Sequence, residues 1–201
     1  DPEQRDYAER AREGVGRLQR LLRAMSEATR IEQIAAEATR LTVDLAPILE
    51  TTVAGYADAW PERHFRLERT ELSCPVVVAP ELIVQLLDKF VDNAVSFSSP
   101  GDTINLTLRR AGGEARVTVT NPGPPLPAGL EARVFESLVS VRAGAPGRHL
   151  GFGLYIARLI AEAHDGTLRA GNTPDGGGVA FSLHLPLAAV TVTADAAGKL
   201  Q

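Results

Sequence analysis

The periodicity of the apolar residues changes once along this 201-residue chain, near Ala35, and that change decides its architecture. Before it, Ala8, Ala11, Val15, Leu18, Leu22 and Met25 recur at alternating spacings of three and four, with charged residues between them. Such a stripe predicts one long amphipathic helix from Pro2 to Ile34 with a narrow apolar seam. A seam of this kind calls for a partner, either another helix of a bundle or the chain's own following domain. Gly14 and Gly16 each weaken the helix by about 1 kcal/mol relative to alanine. The partner contact is expected to hold that segment.

Past Ala35, short alternating runs take turns with helical stretches. Strands are expected at Leu41–Val43, His64–Glu68, Pro75–Ala79, Thr103–Arg109, Ala115–Thr120, Thr167–Ala170 and Val179–Leu185. Helices are expected at Pro47–Ala59, at Pro80–Phe97 behind a proline start, and at Gly153–His164. Gly112-Gly113 joins two of the strands as a hairpin. Strands and helices in this order do not form strict parallel units, so the fold class is α+β, a two-layer sandwich with a mixed sheet covered by helices on one face. The Gly- and Pro-rich stretch from Asn121 to His149, with one short helical segment near Leu130–Leu138, is long for an irregular run in a compact domain, which marks it as functional. The organisation read here is a helix over 1–38, a domain over 39–187 and a tail over 188–201.

Composition narrows the function. With 44% hydrophobic residues the chain can bury one good core and carry an appended helix. The 21 basic and 25 acidic residues leave a net charge of −4, which gives no footprint for nucleic acid or an anionic membrane surface. The single cysteine, Cys74, excludes an internal disulfide and is expected to be a small buried hydrophobe. No stretch reaches the roughly 18 consecutive apolar residues of a membrane span, so a cytoplasmic setting is expected.

Four segments carry the chemistry. On the helix at Pro80–Phe97, Leu82, Leu86, Phe90 and Val91 face a core and leave Asn93 at the edge of the stripe. An amide oxygen there suits a hard cation that keeps its waters and bridges phosphate oxygens, as magnesium does. A satisfied or capping asparagine is the plainer alternative. Gly151 and Gly153 precede a helix, where close backbone approach and free N–H groups of the first turn suit an anion. Helix starts with two glycines are also common without a ligand.

Leu86-Leu87-Asp88-Lys89-Phe90-Val91-Asp92-Asn93-Ala94 resembles the N box of histidine kinases, and Asn121-Pro122-Gly123-Pro124-Pro125-Leu126-Pro127 resembles their first glycine box. Val134-Phe135-Glu136-Ser137-Leu138 resembles the F box, and Gly151-Phe152-Gly153-Leu154-Tyr155-Ile156-Ala157 the second glycine box. The ordered set is similar to the catalytic and ATP-binding domain of bacterial sensor histidine kinases, of the superfamily that includes gyrase, Hsp90 and mismatch-repair ATPases. The resemblance implies a Bergerat-type ATP fold, with the leading helix as the second helix of a dimerisation stalk. It also implies ATP and Mg2+ as cofactors. Lys89, Asn93, Asn121, Gly123, His149, Gly151, Gly153 and Leu154 would bind the nucleotide, with Asn93 as metal ligand. Arg142 and Arg148, on the presumed lid, would join Asn93 in catalysis. The partners implied are a response regulator and a second copy through the N-terminal helix.

Departures from the pattern qualify this. Asn121 stands where an aspartate usually accepts a bond from the adenine amine, and an amide lacks the charge assistance of a carboxylate. Pro125 replaces the second glycine of that box, Lys89 the customary first asparagine, and Ser96 a basic residue. Lys89 precedes Asn93 by one helical turn, so its ammonium is positioned to supply the charge missing at Ser96. The resemblance also implies a phosphorylated histidine on the first stalk helix. Residues 2–34 contain no histidine, and His64, His149, His164 and His184 fall in the domain, none in a stalk setting with an acidic neighbour. Autophosphorylation is therefore not expected from this chain alone. The alternative reading is a degenerate module that serves as a dimeric docking platform for a response regulator.

Overall fold

The computed structural model describes residues 2–70, 73–136 and 152–189. In chain order the elements are α1 (Pro2–Glu37), β1 (Leu41–Asp44), α2 (Leu45–Ala59), β2 (His64–Arg69), β3 (Pro75–Val78) and α3 (Pro80–Phe97). They continue with β4 (Thr103–Ala111), β5 (Glu114–Pro122), α4 (Gly153–Glu162), β6 (Thr167–Asn172) and β7 (Gly178–Pro186). Five strands form one sheet in the order β2-β4-β5-β7-β6, and β1 pairs with β3 in a small antiparallel sheet. Only the β2–β4 pairing is parallel in the larger sheet, so it is mixed as expected.

Alternation assigns the two faces of that sheet. Ile104, Leu106 and Leu108 on β4, Ala115, Val117 and Val119 on β5, and Leu183 and Leu185 on β7 are fully buried under the helices. Their neighbours point the other way and are polar; Thr118 and Ser182 share a hydroxyl hydrogen bond of 2.9 Å there. One apolar and one polar face is the pattern of a sheet covered on one side only. Gly112 and Gly113, at φ 62° and 84°, make the tight turn between β4 and β5, a conformation side chains disfavour.

Helix ends are set locally. Asp44 caps α2 by accepting from the Ala46 N–H at 3.0 Å, and also accepts from the Cys74 N–H at 2.9 Å. Burial opposes its charge, but these bonds outweigh it and hold the carboxyl below its ordinary range. Cys74 itself is fully buried. In α3, Pro80 opens the helix and Leu82, Ile83, Leu86, Leu87, Phe90, Val91 and Ala94 form its buried stripe. Each of these side chains other than Ala94 contributes about 1.5–3 kcal/mol on burial.

Two expectations change. The segment expected to be helical near Leu130 is a succession of turns over its described part, residues 129–136, with Gly129 at φ 80° near its start. Its hydrogen bonds mix i→i−3 and i→i−4 spacings and do not propagate: Arg133 N–H and Val134 N–H both donate to Leu130 O. The leading helix, in turn, behaves as two halves. Ala28 and Ile31 are buried against the domain, where α1 packs on α4, whereas Val15, Leu18, Leu22 and Met25 stay exposed, Leu22 at 68%.

Candidate functional site

Helix α3 is the spine of the site, because both glycine turns approach it. A methyl group added at Gly153 would meet Lys89 Cδ at 4.0 Å. At the other end, a methyl group on Gly123 would lie 2.8 Å from Phe97 O, closer than real side chains come, and Gly123 has φ +150°. Lys89, Asn93 and Phe97 are four residues apart, successive turns of one helix about 6 Å apart along its axis. Asn93 therefore stands midway between the second glycine turn and the first.

The amide of Asn93 is half-buried, and no hydrogen bond among the described residues occupies it. One turn before it, beside Lys89, α4 begins at Phe152 with no side-chain cap and no acidic residue in its first turn. Its first N–H groups therefore have no intrahelical acceptor and carry the positive end of the helix dipole. Gly153 and Leu154 belong to this turn. Arg142, Arg148, His149 and Gly151 lie outside the described residues.

At the first glycine box, Asn121 is the next-to-last residue of β5 and is 3% exposed. Its Nδ2 donates to Pro122 O at 2.7 Å, which leaves Oδ1, the atom an exocyclic amine would need, without a hydrogen bond among the described residues. Gly123 N–H donates to Gly177 O at 3.2 Å. The following segment is fastened by Asn172, which accepts from Leu126 N–H at 2.7 Å and donates to Leu126 O at 3.1 Å. Phe135 of the F box stacks edge-on against Phe181, which also contacts Phe90 of α3. This pins the F box to the wall that carries Asn93.

Several contributors have no signal in the sequence. Lys89 Nζ, expected at phosphate, lies 2.7 Å from Glu27 Oε1 on α1. The Ser96 hydroxyl donates to Asp92 O at 2.7 Å within its own helix. Beside Lys89, Tyr56 O–H donates to Asp88 Oδ1 at 2.8 Å, and burial followed by this bond pushes the phenol well above its ordinary value. Arg63 closes the C-terminal end of α3, donating through Nε to Ser98 Oγ at 3.1 Å and through an Nη to Ser98 O at 3.0 Å. Except for Ser96 and Asp92, these partners are 32 to 62 residues apart, beyond the reach of local periodicity.

Two histidines prove to have carboxylates nearby, Asp165 next in sequence to His164 and Glu114 Oε2 at 3.0 Å from His184 Nδ1. Both rings are 3% exposed. His164 uses both nitrogens, accepting from Ala79 N–H at 3.1 Å and bonding Ile160 O at 2.7 Å. A hollow of about 210 Å³ lined by Phe135, Arg158, Glu162 and Leu168 opens at the far half of α4 and shares no residue with the α3 stripe. No helix of the described residues is long and apolar enough to cross a membrane.

Comparison with known proteins agrees with this geometry. Residues 78–189 match the family of histidine kinase-, DNA gyrase B-, and HSP90-like ATPases. The sensor protein DivL of Caulobacter vibrioides is 35% identical over 104 residues, 52% of this chain and 13% of DivL. The sensor-like histidine kinase SenX3 of Mycobacterium tuberculosis is 27% identical over 186 residues, 90% of this chain and 45% of SenX3. The chain thus spans less than half the length of either relative. Full-length ShkA, solved in complex with AMPPNP, superposes with a TM-score of 0.70 at 25% identity, covering 92% of this chain and 39% of that one. The match runs from the strand before α3 to the end of β7, over the spine and the described parts of both glycine turns: the chain belongs to the histidine kinase-, DNA gyrase B-, and HSP90-like ATPase family, with the ATP-binding domain of sensor histidine kinases.

Proposed function

We propose that this chain binds ATP with magnesium along α3 and directs the γ-phosphoryl group to a histidine on a stalk helix, in the manner of a two-component sensor kinase. The observation that carries the reading is the placement of Asn93 one turn from each glycine approach, at Lys89 and at Phe97. The residues present fit a magnesium ion. Among the described residues the amide oxygen of Asn93 is a hard ligand with no competing hydrogen bond, and no group of three or more His, Cys, Asp or Glu would hold a cation by itself. That suits an ion held by one protein oxygen, by phosphates and by water. Magnesium, when bound, neutralises charge on the phosphates.

The chain's own residues divide the remaining work. The uncapped start of α4, with Gly151, Gly153 and Leu154, receives phosphate oxygens on backbone N–H groups. Asn121 offers Oδ1 to the base, and Gly123 lets the backbone pass beneath it. Lys89 supplies positive charge where Ser96 supplies none. Arg142, Arg148 and His149, outside the described residues, add positive charge toward the phosphates. Acceleration then comes mainly from positioning and charge compensation. The exposed seam of α1 pairs with a second copy, and the kinase serves a response regulator on the cytoplasmic side of the membrane.

Calorimetric titration with ATP and magnesium tests the reading. Micromolar, magnesium-dependent binding is expected, and Asn93→Ala should weaken it about tenfold or more by removing a charge-coordinating ligand. The engagement of Lys89 by Glu27 favours a second reading, a docking platform that does not use nucleotide. No binding at millimolar ATP would leave that one.

A further inference from the structure

Helix α1 and the short connection that follows it are fastened to the domain at both ends of α4. Beside Gly153, Glu27 Oε1 takes Lys89 Nζ at 2.7 Å, and past the far end Arg40 Nη1 meets Asp165 Oδ2 at 2.7 Å. Between them Ala28 and Ile31 are buried. The first of these ties has an unusual position. The Lys89 side chain is 24% exposed, its Cδ is the nearest atom to the Cβ position of Gly153, and the α4 start beside it has neither a cap nor an acid of its own. The carboxylate of Glu27 is thus the anion that this corner of the site already holds.

We propose that Glu27 competes with the phosphates of the nucleotide for Lys89, so that nucleotide binding unlatches α1 from the catalytic domain; the proposal rests on the functional reading above. An ammonium carries one positive charge on a flexible stem, and it cannot compensate a polyphosphate and a carboxylate at full strength together. When phosphate enters at Gly153, Lys89 turns to it and Glu27 is released to solvent. Ala28, Ile31, the partly buried Ile34 and Ala35, and the Arg40–Asp165 pair just past the helix then hold it. Linkage makes the effect reciprocal: whatever tightens α1 on the domain lowers nucleotide affinity by the same factor. A stalk movement that presents or withdraws Glu27 therefore sets how readily the domain loads. Asp88, the neighbouring carboxylate on α3, accepts from Tyr56 O–H at 2.8 Å.

The test is a double-mutant cycle on the full chain, titrated with AMPPNP and magnesium. Glu27→Gln keeps the shape and removes the competing charge, and it should tighten binding about threefold to tenfold. Lys89→Met should weaken binding, and adding Glu27→Gln in that background should change nothing further. Amide hydrogen exchange over residues 20–37 gives a second readout: saturating nucleotide should speed it in the unmodified chain and leave it unchanged in Lys89→Met. Nucleotide binding that is the same with Glu27→Gln as without it, or an effect of Glu27→Gln that persists in Lys89→Met, overturns the latch and leaves the ATP reading standing. Failure of all four proteins to bind at millimolar AMPPNP overturns both.

Discussion

Two glycines at the site look alike in the sequence and differ in what they permit. At Gly123 a Cβ would lie 2.8 Å from the carbonyl oxygen of Phe97, and φ is +150°, so Gly123→Ala must move backbone or hold a strained conformation. A cost of about 1–3 kcal/mol is expected in denaturant unfolding. At Gly153 the nearest atom would be 4.0 Å away, at the movable end of Lys89. Gly153→Ala should therefore change stability by less than about 0.5 kcal/mol, and any loss of nucleotide affinity would report on the site itself. Affinity loss tracking stability loss equally at both positions would refute this. His164 gives a pH signature. Burial, chiefly, lowers its pKa, and protonation would abolish the acceptor that Ala79 N–H uses. The unfolded chain then binds the proton more readily, so the contribution of neutral His164 is complete above about pH 6.5 and is lost as pH falls through the lowered value. The urea midpoint should drop between pH 7 and pH 5, and His164→Gln should flatten that slope. Equal slopes in the two proteins would remove His164 as the cause.

At the scale of elements, the seam of α1 poses the clearest question, because four of its apolar residues are more than half exposed while two further along are buried. If the exposed half pairs with a second copy, Leu18→Glu with Leu22→Glu should convert a dimer to a monomer in sedimentation at micromolar concentration. The melting of the domain should hardly move, since both side chains are exposed and touch none of its core. A dimer surviving both changes would place the interface elsewhere. The sequence carries this seam legibly because its period is local. The strands and α3 are legible for the same reason: alternation marks β4 and β5, and a 3.6-residue stripe marks α3 from Leu82 to Ala94. The F-box segment is not. Val134 is buried and Phe135 is held by Phe181 on a strand more than forty residues later, and a turn held by a distant ring has no period to read. Asn93 and the glycines were likewise visible as residue types in order, whereas Glu27 at Lys89 and Arg63 at Ser98 exist only once the chain has closed on itself.

For the whole molecule, the leading helix and the corner at the second glycine turn are mechanically one object, since α1 packs on α4 and α4 begins at that turn. A fragment of residues 39–189 separates them. It loses the burial of Ile31, worth about 1.5–3 kcal/mol, together with the smaller contributions of Ala28 and of the partly buried Ile34, Ala35 and Ala38, and keeps the stripe of α3, the sheet and the Arg63 closure of α3. It should therefore fold, with a melting temperature lower by about 2–4 °C for each kcal/mol lost. It also loses Glu27 while keeping Lys89. Lower stability would ordinarily accompany equal or weaker binding; here the fragment should bind AMPPNP more tightly than the full chain, by the same factor as Glu27→Gln. The two effects have opposite signs because they arise at different atoms of one contact. Calorimetry and thermal melting on the fragment separate them, and a fragment that binds no better than the full chain would mean that α1 supports the domain without governing its nucleotide.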